Sequence, residues 1–331
     1  MPKLSIVVPV YNVERYLAKC LDSIIVPGLS DYEIILINDG STDSSPEICR
    51  KYADKNPGLI RCLSTENQGL GEARNTGIGM AQGEYIMFID SDDSLADNAL
   101  KEIFAILSED FDIFIFDDLS VSEAGKQLAY NKACDREGVF SLREYPQLLF
   151  APSGVCACAK VFRRSLFAET GIKFPARLWF EDICTIPKLY IHAEKIIYRP
   201  MPWYLYLIRQ GSITNSRSMG RNSDIITAMD MLTSYYKEQG KFDEFRDELE
   251  YLVFYNELIT SSTRVNLIDR KSELQDELIA YFLKNFPDYK NNPYIQNMGG
   301  KLKLLHSLIM GRRRLTMNLI MNLNNKIKKK Y

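Results

Sequence analysis

Short apolar, β-branched runs alternate with segments of helical periodicity over residues 1–118, and this alternation constrains the fold more than any other feature. The first run, at 4–8, is continuous and apolar, as expected for a strand that is buried on both faces. Apolar residues then recur at helical spacing over 14–25. Strands that alternate with helices favour parallel pairing, because each helix returns the chain to the same edge of the sheet. We therefore predict a three-layer α/β/α sandwich with a mostly parallel sheet.

The same patterns give the other elements of this sandwich. They predict strands over 33–37, 60–63, 85–89 and 112–116, helices over 70–81 and 96–107, and a further helix that Ser44 or Ser45 caps, with Pro46 in its first turn. Residues 119–213 are less regular, and from Arg221 onward the pattern is almost entirely helical. The sequence thus predicts an α/β domain followed by a helical C-terminal region.

Composition and charge argue against several classes of protein. Hydrophobic residues make up 46% and charged residues 25% of the 331 residues, which is typical of globular proteins and not of disordered chains. The formal net charge of −2 gives no reason to expect nucleic acid as a partner. Seven scattered cysteines and only two histidines argue against a disulfide framework and against a zinc site. The thiols, and a short N-terminal apolar run interrupted by proline, lead us to expect a cytoplasmic protein.

Three carboxylates follow the predicted strand at 85–89 within one short turn, Asp90-Ser91-Asp92-Asp93. In parallel sheets ligands bind beyond the carboxyl ends of the strands, so this turn lies where a site is expected. Like charges so close repel one another, and a hard divalent cation such as Mg²⁺ relieves the repulsion. Alternatively, the turn is solvated and one aspartate caps the helix that begins near Ala96.

Asp39 stands directly after the predicted strand at 33–37, in the motif N-D-G-S-T-D of residues 38–43. A carboxylate there can accept hydrogen bonds from a nucleotide base or a ribose, while Gly40 lets the chain turn tightly. The structural alternative is an Asx-type turn with capping by Ser41, Thr42 or Asp43. This alternative does not exclude a ligand role for Asp39.

Arg74 lies in the early turns of the predicted helix at 70–81, after the glycine-containing loop E-N-Q-G-L-G of residues 66–71. Arginine is the side chain best shaped for phosphate oxygens, which favours a phosphate-binding role. The alternative is a surface salt bridge with Glu72 or a nearby aspartate, which contributes little to stability.

The order and spacing of these motifs resemble a known family. The motifs are P-V-Y-N (9–12), N-D-G-S-T-D (38–43), N-Q-G (67–69), A-R-N (73–75) and D-S-D-D (90–93). Together they resemble family 2 of the glycosyltransferases, in the type that assembles bacterial surface polysaccharides, whose fold is the Rossmann-like GT-A sandwich. The resemblance continues more loosely through A-K-V-F-R-R (159–164), F-E-D (180–182) and G-S-I-T (211–214). Beyond residue 220 we find no shared motif.

The resemblance implies a donor that is a nucleotide diphosphate sugar, usually UDP-linked, and it assigns a role to each matching residue. Asp39 would hold the base, and Arg74 would lie near the diphosphate. Asp90, with Ser91 beside it, would contact the ribose or sugar, and Asp92 would ligate Mg²⁺ or Mn²⁺ as part of the D-x-D motif. The nucleotide pocket would be lined by Pro9, Tyr11 and Asn12.

The resemblance also implies direct attack of an acceptor hydroxyl on the anomeric carbon, which inverts its configuration and needs a general base. Asp182 is our candidate base, with Glu181 beside it as a second catalytic residue. Trp179 and its neighbour Phe180 would stack on a sugar ring and partly desolvate the carboxylate. Alternatively, the acidic pair only favours the N-terminus of a helix that runs towards residue 189.

Further residues and one missing motif refine this interpretation. Lys160 and Arg209 are candidate contacts to the acceptor or the diphosphate, with ordinary exposed cations as the alternative. The pair Asp117-Asp118 competes for the role of base but lacks aromatic neighbours. The Q-x-x-R-W motif of polymerising synthases is absent, which favours transfer of one or a few sugars. The expected acceptor is a glycan or a lipid-linked glycan.

Residues 299–331 contain nine lysines and arginines and no acidic residue, interleaved with leucine, isoleucine and methionine. Such a basic amphipathic stretch suits peripheral contact with the inner face of the cell membrane, whereas its arginine run argues against a spanning helix. The alternative is a helix packed on the domain or on a second copy in a homodimer. We divide the chain into a nucleotide-sugar-binding half (1–118), an acceptor-binding half (119–218) and a helical region (219–331).

Two other functions compete with a transferase. A sugar nucleotidyltransferase also uses an α/β sheet with acidic metal ligands, but its glycine-rich basic loop after the first strand is missing here. A catalytically silent sugar-nucleotide-binding or scaffold protein would bind nucleotide without consuming a donor. The competent residue at every proposed catalytic position weighs against a silent protein. A dehydrogenase would need G-x-G-x-x-G after the first strand, which is absent.

Overall fold

A computed structural model describes residues 1–209 and 219–328, with side chains described for 1–209 and 221–321. The chain divides into two compact units, Met1–Asn215 and Ser216–Tyr331. The first unit contains the strands and the second is helical, which confirms the predicted α/β domain with a helical C-terminal region. The functional division at residues 118 and 218 stays a prediction. The G-S-I-T motif of residues 211–214 lies outside the described residues.

The first unit is built on one mixed sheet with helices on its faces. Its strands are β1 (Leu4–Val10), β2 (Tyr32–Asp39), β3 (Ile60–Thr65), β4 (Tyr85–Phe88), β5 (Ser94–Leu95), β6 (Ile113–Ser122), β7 (Gln127–Asn131), β8 (Gly138–Phe140), β9 (Lys160–Arg163) and β10 (Ile196–Ile208). Its helices are α1 (Leu17–Ile24), α2 (Ser45–Lys55), α3 (Leu70–Met80), α4 (Ala99–Ile106), α5 (Arg164–Thr170) and α6 (Ile186–Tyr190), with a 3₁₀ helix at Pro146–Phe150.

The strand order is β3-β2-β1-β4-β9-β6-β10-β5, with β7 paired to β6 and β8 to β10. Strands β1 to β4, β6 and β10 run in one direction, and β9 runs opposite between β4 and β6. The chain reverses its order around β1, whose neighbours are β2 and β4. In open α/β sheets a crevice forms beyond the carboxyl ends of strands at such a reversal. The loops that follow β1, β2, β3 and β4 therefore lie together at one edge of the sheet.

Burial explains why β1 and β2 lie inside the sheet and not at its edge. Every residue of both strands is buried, as their continuous apolar sequences predict. Helices α1, α2 and α4 share a core with Ile6 and Val8 on one face. Helix α3 crosses the other face, where Gly77 lies against Val7. The sheet is thus covered on both sides, as predicted for a three-layer sandwich.

Three predicted boundaries are wrong by three residues or more, each because a competing contact satisfies the backbone. The helix predicted from residue 14 begins at Leu17, since the amides of Val13 and Glu14 donate to side chains of the next loop. The helix predicted from residue 96 begins at Ala99, since β5 pairs with β10 just before it. The strand predicted to end at residue 116 continues to Ser122, because β7 and β10 pair with its second half.

The second unit contains helices and no strand within its described residues. They are α7 (Met219–Asn222), α8 (Asp224–Glu238), α9 (Arg246–Val253), a π-helix (Phe254–Ser261), α10 (Ser262–Ile268), α11 (Leu274–Asn285), a 3₁₀ helix (Tyr289–Asn291), α12 (Pro293–Gln296), α13 (Gly300–Met310) and α14 (Arg314–Lys328). The core includes Leu232, Leu252, Phe254, Leu258 and Phe282, each fully buried. None of the helices in the described segments has the length and apolar character needed to cross a bilayer.

Two glycines of α3 provide a test of the packing between this helix and the sheet. A Cβ atom at Gly77 would lie 2.2 Å from Cγ1 of Val7, whereas a Cβ at Gly79 would meet nothing within 4 Å. We expect Gly77→Ala to lower the free energy of unfolding by about 1–3 kcal/mol, because the buried strand has no room to move. We expect Gly79→Ala to raise it by about 0.5–1 kcal/mol, because alanine is the better helix former.

Urea unfolding followed by circular dichroism measures both variants. Equal effects of the two substitutions would contradict the close approach of α3 to β1.

Candidate active site

The centre of the candidate site is a buried arginine, Arg74, on α3. Its side chain is 1% exposed, and its guanidinium donates to Glu181 at 2.7 Å, to Asp182 at 2.5 Å and to Asp90 at 3.1 Å. The guanidinium carbon lies 5.3 Å from the ring centroid of Phe174. Burial alone lowers the pKa of Arg74, but the three carboxylates outweigh burial and hold that pKa well above its ordinary value. The alternative of a surface salt bridge with Glu72 is therefore wrong.

The acidic pair Glu181-Asp182 forms one wall of this cluster. Asp182 accepts from Arg74 with one carboxylate oxygen and from the amide of Ala157 at 2.9 Å with the other. Burial, reinforced by the charge of Asp182, raises the pKa of Glu181 to about 8, although Arg74 opposes the shift. The carboxylates are 12% and 22% exposed, so solvent reaches Asp182 more than Glu181.

The pair does not stand at the start of a helix. Helix α6 begins at Ile186, and residues 181–185 form turns in which the carbonyl of Asp182 accepts from Thr185 and Ile186. The alternative in which the pair serves a helix N-terminus is wrong, because the carboxylates are held by Arg74 instead. Trp179 is half-buried and makes an edge contact with Phe180, at a centroid distance of 6.3 Å.

In the turn after β4, the three aspartates have different environments. Asp93 is 3% exposed, and its oxygens accept from the hydroxyl of Tyr204 at 2.6 Å and the amide of Leu207 at 2.7 Å. Asp92 accepts from Nε of Arg209 at 2.8 Å, and Asp90 accepts from Arg74. Burial, followed by repulsion from Asp90, raises the pKa of Asp92 despite the nearby guanidinium. None of the three caps α4, whose N-cap residue is Asn98.

The turn offers few ligands for a metal ion. Within the described residues, no group of three or more histidine, cysteine or acidic side chains is arranged to hold one. Asp93 has both oxygens engaged, whereas Oδ2 of Asp90 and Oδ1 of Asp92 accept no hydrogen bond from the described residues. Mg²⁺ commonly binds one or two carboxylates and completes its coordination with substrate phosphates and water. A donor set of Asp92 with Asp90 therefore fits a divalent cation that arrives with a phosphate-bearing ligand.

Asp39, at the end of β2, fastens the loop that precedes α3. Its two oxygens accept from the amides of Gln68 at 2.8 Å and Gly69 at 2.9 Å, and the side chain is 3% exposed. Asn67 returns a hydrogen bond to the carbonyl of Asp39. A Cβ at Gly40 would lie 2.8 Å from the amide nitrogen of Asn67, which explains the glycine beside the aspartate. The contact of Asp39 with a base stays a prediction.

The loops after β1 and β2 are tied to each other at the same edge of the sheet. The side-chain oxygen of Asn12 accepts from the backbone amide of Thr42 at 2.8 Å, and the backbone amide of Asn12 donates to the hydroxyl of Ser41. Tyr11, in the same loop, is 51% exposed, whereas Pro9 is buried within β1. Tyr11 is therefore accessible to a ligand in the crevice. The donor contacts predicted for these residues stay predictions, as does that of Ser91, which is 5% exposed.

Lys160 and Arg209 are not the exposed cations of the alternative interpretation. Lys160 is fully buried on β9, and its ammonium donates to the carbonyls of Ser153 and Cys156. Burial lowers its pKa. This lysine supports the backbone of residues 153–156 in the present arrangement. Arg209 is 15% exposed, lies 4.8 Å from the ring centroid of Tyr16 and pairs with Asp92.

The competing acidic pair in β6, Asp117-Asp118, is engaged in hydrogen bonds that stabilise the fold. Asp117 is fully buried and accepts from the amide of Ala133 and from the hydroxyls of Tyr130 and Tyr198. Asp118 accepts from Asn131 and Ser153. Both carboxylates thus hold β7 and its neighbours against the sheet.

The sequence patterns missed two aromatic residues that hold the site. Tyr204 on β10 donates to Asp93 and accepts from the amide of Asp90, so it fixes both ends of the acidic turn. Phe174 covers the guanidinium of Arg74, and its amide bonds to Asn75. Neither residue lies in a recognisable motif, and only the chain's return to the sheet brings them to the site.

Several known proteins are similar to this chain in sequence or in fold. A family model described as Glycosyl transferase family 2 matches residues 5–171. Glycosyltransferase GlyA of Streptococcus pneumoniae is 34% identical over 221 residues, which cover 64% of this chain and only 31% of GlyA. Putative glycosyltransferase EpsH of Bacillus subtilis is 30% identical over 274 residues, which cover 80% of this chain and 79% of EpsH.

The solved structure of TarS residues 1–349 from Staphylococcus aureus, in complex with UDP-GlcNAc, resembles this chain with a TM-score of 0.66. The match covers 96% of this chain and 88% of that one at 20% sequence identity. At this identity the likeness establishes the fold, which is the predicted GT-A sandwich with C-terminal helices.

Substitution of Arg74 tests how much its ion pairs contribute to stability. Arg74→Met keeps much of the side-chain volume but leaves three partly buried carboxyl groups without their cation, so we expect the free energy of unfolding to fall by about 3–5 kcal/mol. The matched control is Arg50→Met, which breaks an exposed pair with Glu47 whose side chains are 65% and 64% exposed. Its expected loss is below about 0.5 kcal/mol. Equal losses in urea unfolding would contradict the central role of Arg74.

The raised pKa of Glu181 predicts how stability depends on pH. Below an unfolded-state pKa of about 4.5 both states carry the proton, so the contribution to stability is fully present there. Between about 4.5 and 8 the unfolded state loses the proton while the folded state keeps it, so stability falls as pH rises. Relative to Glu181→Gln, wild type should lose on the order of 5 kcal/mol across this window, because each pH unit contributes about 1.4 kcal/mol. Urea unfolding at several pH values measures the difference, and a pH-independent difference would argue against the raised pKa.

Proposed function

The chain belongs to glycosyl transferase family 2 and is a glycosyltransferase, and from this premise we propose that it takes its sugar from a nucleotide diphosphate sugar, of the UDP type. The acceptor is a hydroxyl group of a glycan or lipid-linked glycan. Transfer occurs by direct displacement with inversion at the anomeric carbon. The reaction takes place in the cytoplasm and contributes to the assembly of a surface polysaccharide.

One observation carries this proposal. Arg74 binds carboxylates from two segments that are far apart in sequence, namely Asp90 after β4 and the pair Glu181-Asp182. The candidate donor contact and the candidate base are therefore held by one buried cation. Displacement with inversion needs the acceptor oxygen and the departing diphosphate on opposite sides of the anomeric carbon, with the base within hydrogen-bonding reach of the acceptor oxygen. A shared cation between the two groups supports that arrangement.

Asp182 is the proposed general base. The acceptor oxygen forms its bond to the anomeric carbon as the bond from that carbon to the diphosphate oxygen breaks, and the acceptor proton passes to a carboxylate oxygen of Asp182. Each oxygen of Asp182 accepts one hydrogen bond, from Arg74 or Ala157, and a carboxylate oxygen has a second lone pair. Burial raises the pKa of Glu181, and solvent reaches Asp182 more than Glu181, so we assign the role of base to Asp182.

The donor side of the site rests on the loops after β1, β2 and β4. Tyr11 is an exposed aromatic ring at this edge and would cover the nucleotide. Asn12 would line the same pocket, and Asp39 would hold the base. Arg209, which pairs with Asp92, would move to the diphosphate when the donor binds. Arginine suits such a contact because its planar fork matches phosphate oxygens.

A divalent cation fits the donor set of Asp92 and Asp90. Bound there, Mg²⁺ or Mn²⁺ would stabilise the charge that develops on the departing nucleotide diphosphate. Asp92 contributes a carboxylate in the crevice, and Asp93 keeps the turn in place through Tyr204 and Leu207. Asp93 is therefore a positioning residue rather than a ligand.

Release of free nucleotide tests the proposal. Purified protein is incubated with a panel of UDP-, GDP- and dTDP-sugars, Mg²⁺ or Mn²⁺, and acceptor glycans. We expect cation-dependent release from one donor. Asp182→Asn should slow it by about 10²–10⁴-fold, because general-base catalysis contributes a factor of that size. Asp92→Asn should slow it by at least about 10²-fold, because a charged contact to the leaving group is lost.

Asp97→Asn is the matched control, because it removes an exposed carboxylate only five residues from Asp92. It should release nucleotide at the wild-type rate. Nucleotide binding without release from any donor would favour a silent binding protein. Release that persists in Asp182→Asn would move the role of base to another residue.

A further inference from the structure

A basic pocket lies in the second unit, at the corner between α13 and α14. It encloses about 530 Å³ and is lined by Arg270, Lys271, Arg312, Arg313, Arg314, Leu315 and Thr316. The first two residues come from the turn between α10 and α11, and the others from the corner and the first turn of α14. Five of the seven lining residues are cationic and none is acidic. A pocket of this composition attracts an anion.

Only part of this positive charge is neutralised within the unit. Asp276 on α11 accepts from Arg312 at 2.7 Å and from Arg314 at 2.8 Å, so one carboxylate serves two arginines. Among the described residues, no carboxylate pairs with Arg270, Lys271 or Arg313. All three are exposed. The pocket therefore keeps a surplus of positive charge that faces solvent.

The backbone adds donors to the same pocket. Helix α14 begins at Arg314, and the first amides of a helix have no partner within it. The amide of Arg314 bonds to the carbonyl of Arg312 and that of Met317 to the carbonyl of Arg313. The two residues between them, Leu315 and Thr316, line the pocket and lie at the positive end of the helix dipole. Helix termini with basic side chains bind phosphate oxygens well.

Large apolar side chains stand next to these cations. Leu315 is 60% and Leu319 is 66% exposed, and they are one helical turn apart on the same face of α14. Met317, on the opposite face, is 1% exposed and anchors the helix to its unit. The hydrogen bond from Asn266 to the carbonyl of Arg314 fixes the corner. The leucines are thus directed away from the core by a helix that cannot turn to bury them.

We propose that this pocket binds the phosphate group of an anionic lipid at a membrane surface, with Leu315 and Leu319 inserted among the acyl chains. Cations that contact phosphates beside leucines that enter the bilayer are the pattern of helices that lie on membranes. A soluble polyanion would use the cations but give the leucines no role. A two-fold contact with a second copy across this corner would bring five cations against five, which is repulsive. The proposal concerns the second unit alone and does not rest on the proposed reaction.

Vesicle co-sedimentation of the full chain tests this assignment. Vesicles of phosphatidylcholine are compared with vesicles that also contain phosphatidylglycerol. We expect wild type to bind the anionic vesicles, and to bind less as salt is added, because salt screens charges. Arg270→Gln combined with Arg313→Gln should weaken partitioning roughly 30-fold. Each basic residue at an anionic surface strengthens partitioning about fivefold, and two such factors multiply. Leu315→Gln combined with Leu319→Gln should also weaken it.

The matched control is Lys284→Gln combined with Lys290→Gln, which removes two exposed cations of the same unit outside the pocket. It should bind like wild type, and all variants keep the lysines after residue 325. Equal binding by the pocket variant and this control, or by the leucine variant and wild type, would overturn the proposal. Binding of free pyrophosphate in calorimetry, without binding to anionic vesicles, would assign the pocket to a soluble phosphate compound instead.

Discussion

The buried charge of Arg74 is the interaction on which the first unit's candidate site depends. Its guanidinium joins α3 to the turn after β4 and to residues 181–182. None of these three segments is paired with another as strands of the sheet. Removing charged groups from water is costly, and the cost is offset only while each group keeps its partners. Movement of one segment away from Arg74 would break an ion pair with the guanidinium. The cluster therefore holds the crevice in one arrangement before any ligand binds.

The acidic residues of the crevice divide by exposure into two roles. Asp39, Asp93 and Asp117 are almost fully buried and accept hydrogen bonds from loop amides or tyrosine hydroxyls, so they shape the loops. Asp92 and Asp182 stay partly exposed, at 21% and 22%, and face the crevice. A carboxylate that already fastens a loop has less capacity for a ligand, whereas a partly exposed one keeps lone pairs available. The proposed chemistry therefore rests on the second group.

Prediction from the sequence succeeded where one property decides the structure and failed where two compete. The strand at 4–8 was predicted because a continuous apolar run can only be buried, and β1 covers it fully. The start of α4 was placed three residues too early, because the amide of Ala96 bonds to the carbonyl of Trp203 on β10 and so extends the strand pairing of β5 past Leu95. For Lys160 the sequence allows either a ligand contact or an exposed position. The structure buries it, with its ammonium bonded to two backbone carbonyls. The sequence does not predict this contact, because both carbonyls belong to a loop without a motif.

The sequence by itself determined the alternation of strands and helices, the family and the identity of the acidic and basic residues after each strand, because these follow from local periodicity and from motifs in order. Only the tertiary structure decided which of those residues meet. Arg74 and Asp182 are 108 positions apart, and Asp93 and Tyr204 are 111 apart. Such contacts depend on the order of the strands in the sheet and on the path of the chain back to it. Neither leaves a periodic signal, since pairing between distant segments is set by the packing of the whole unit.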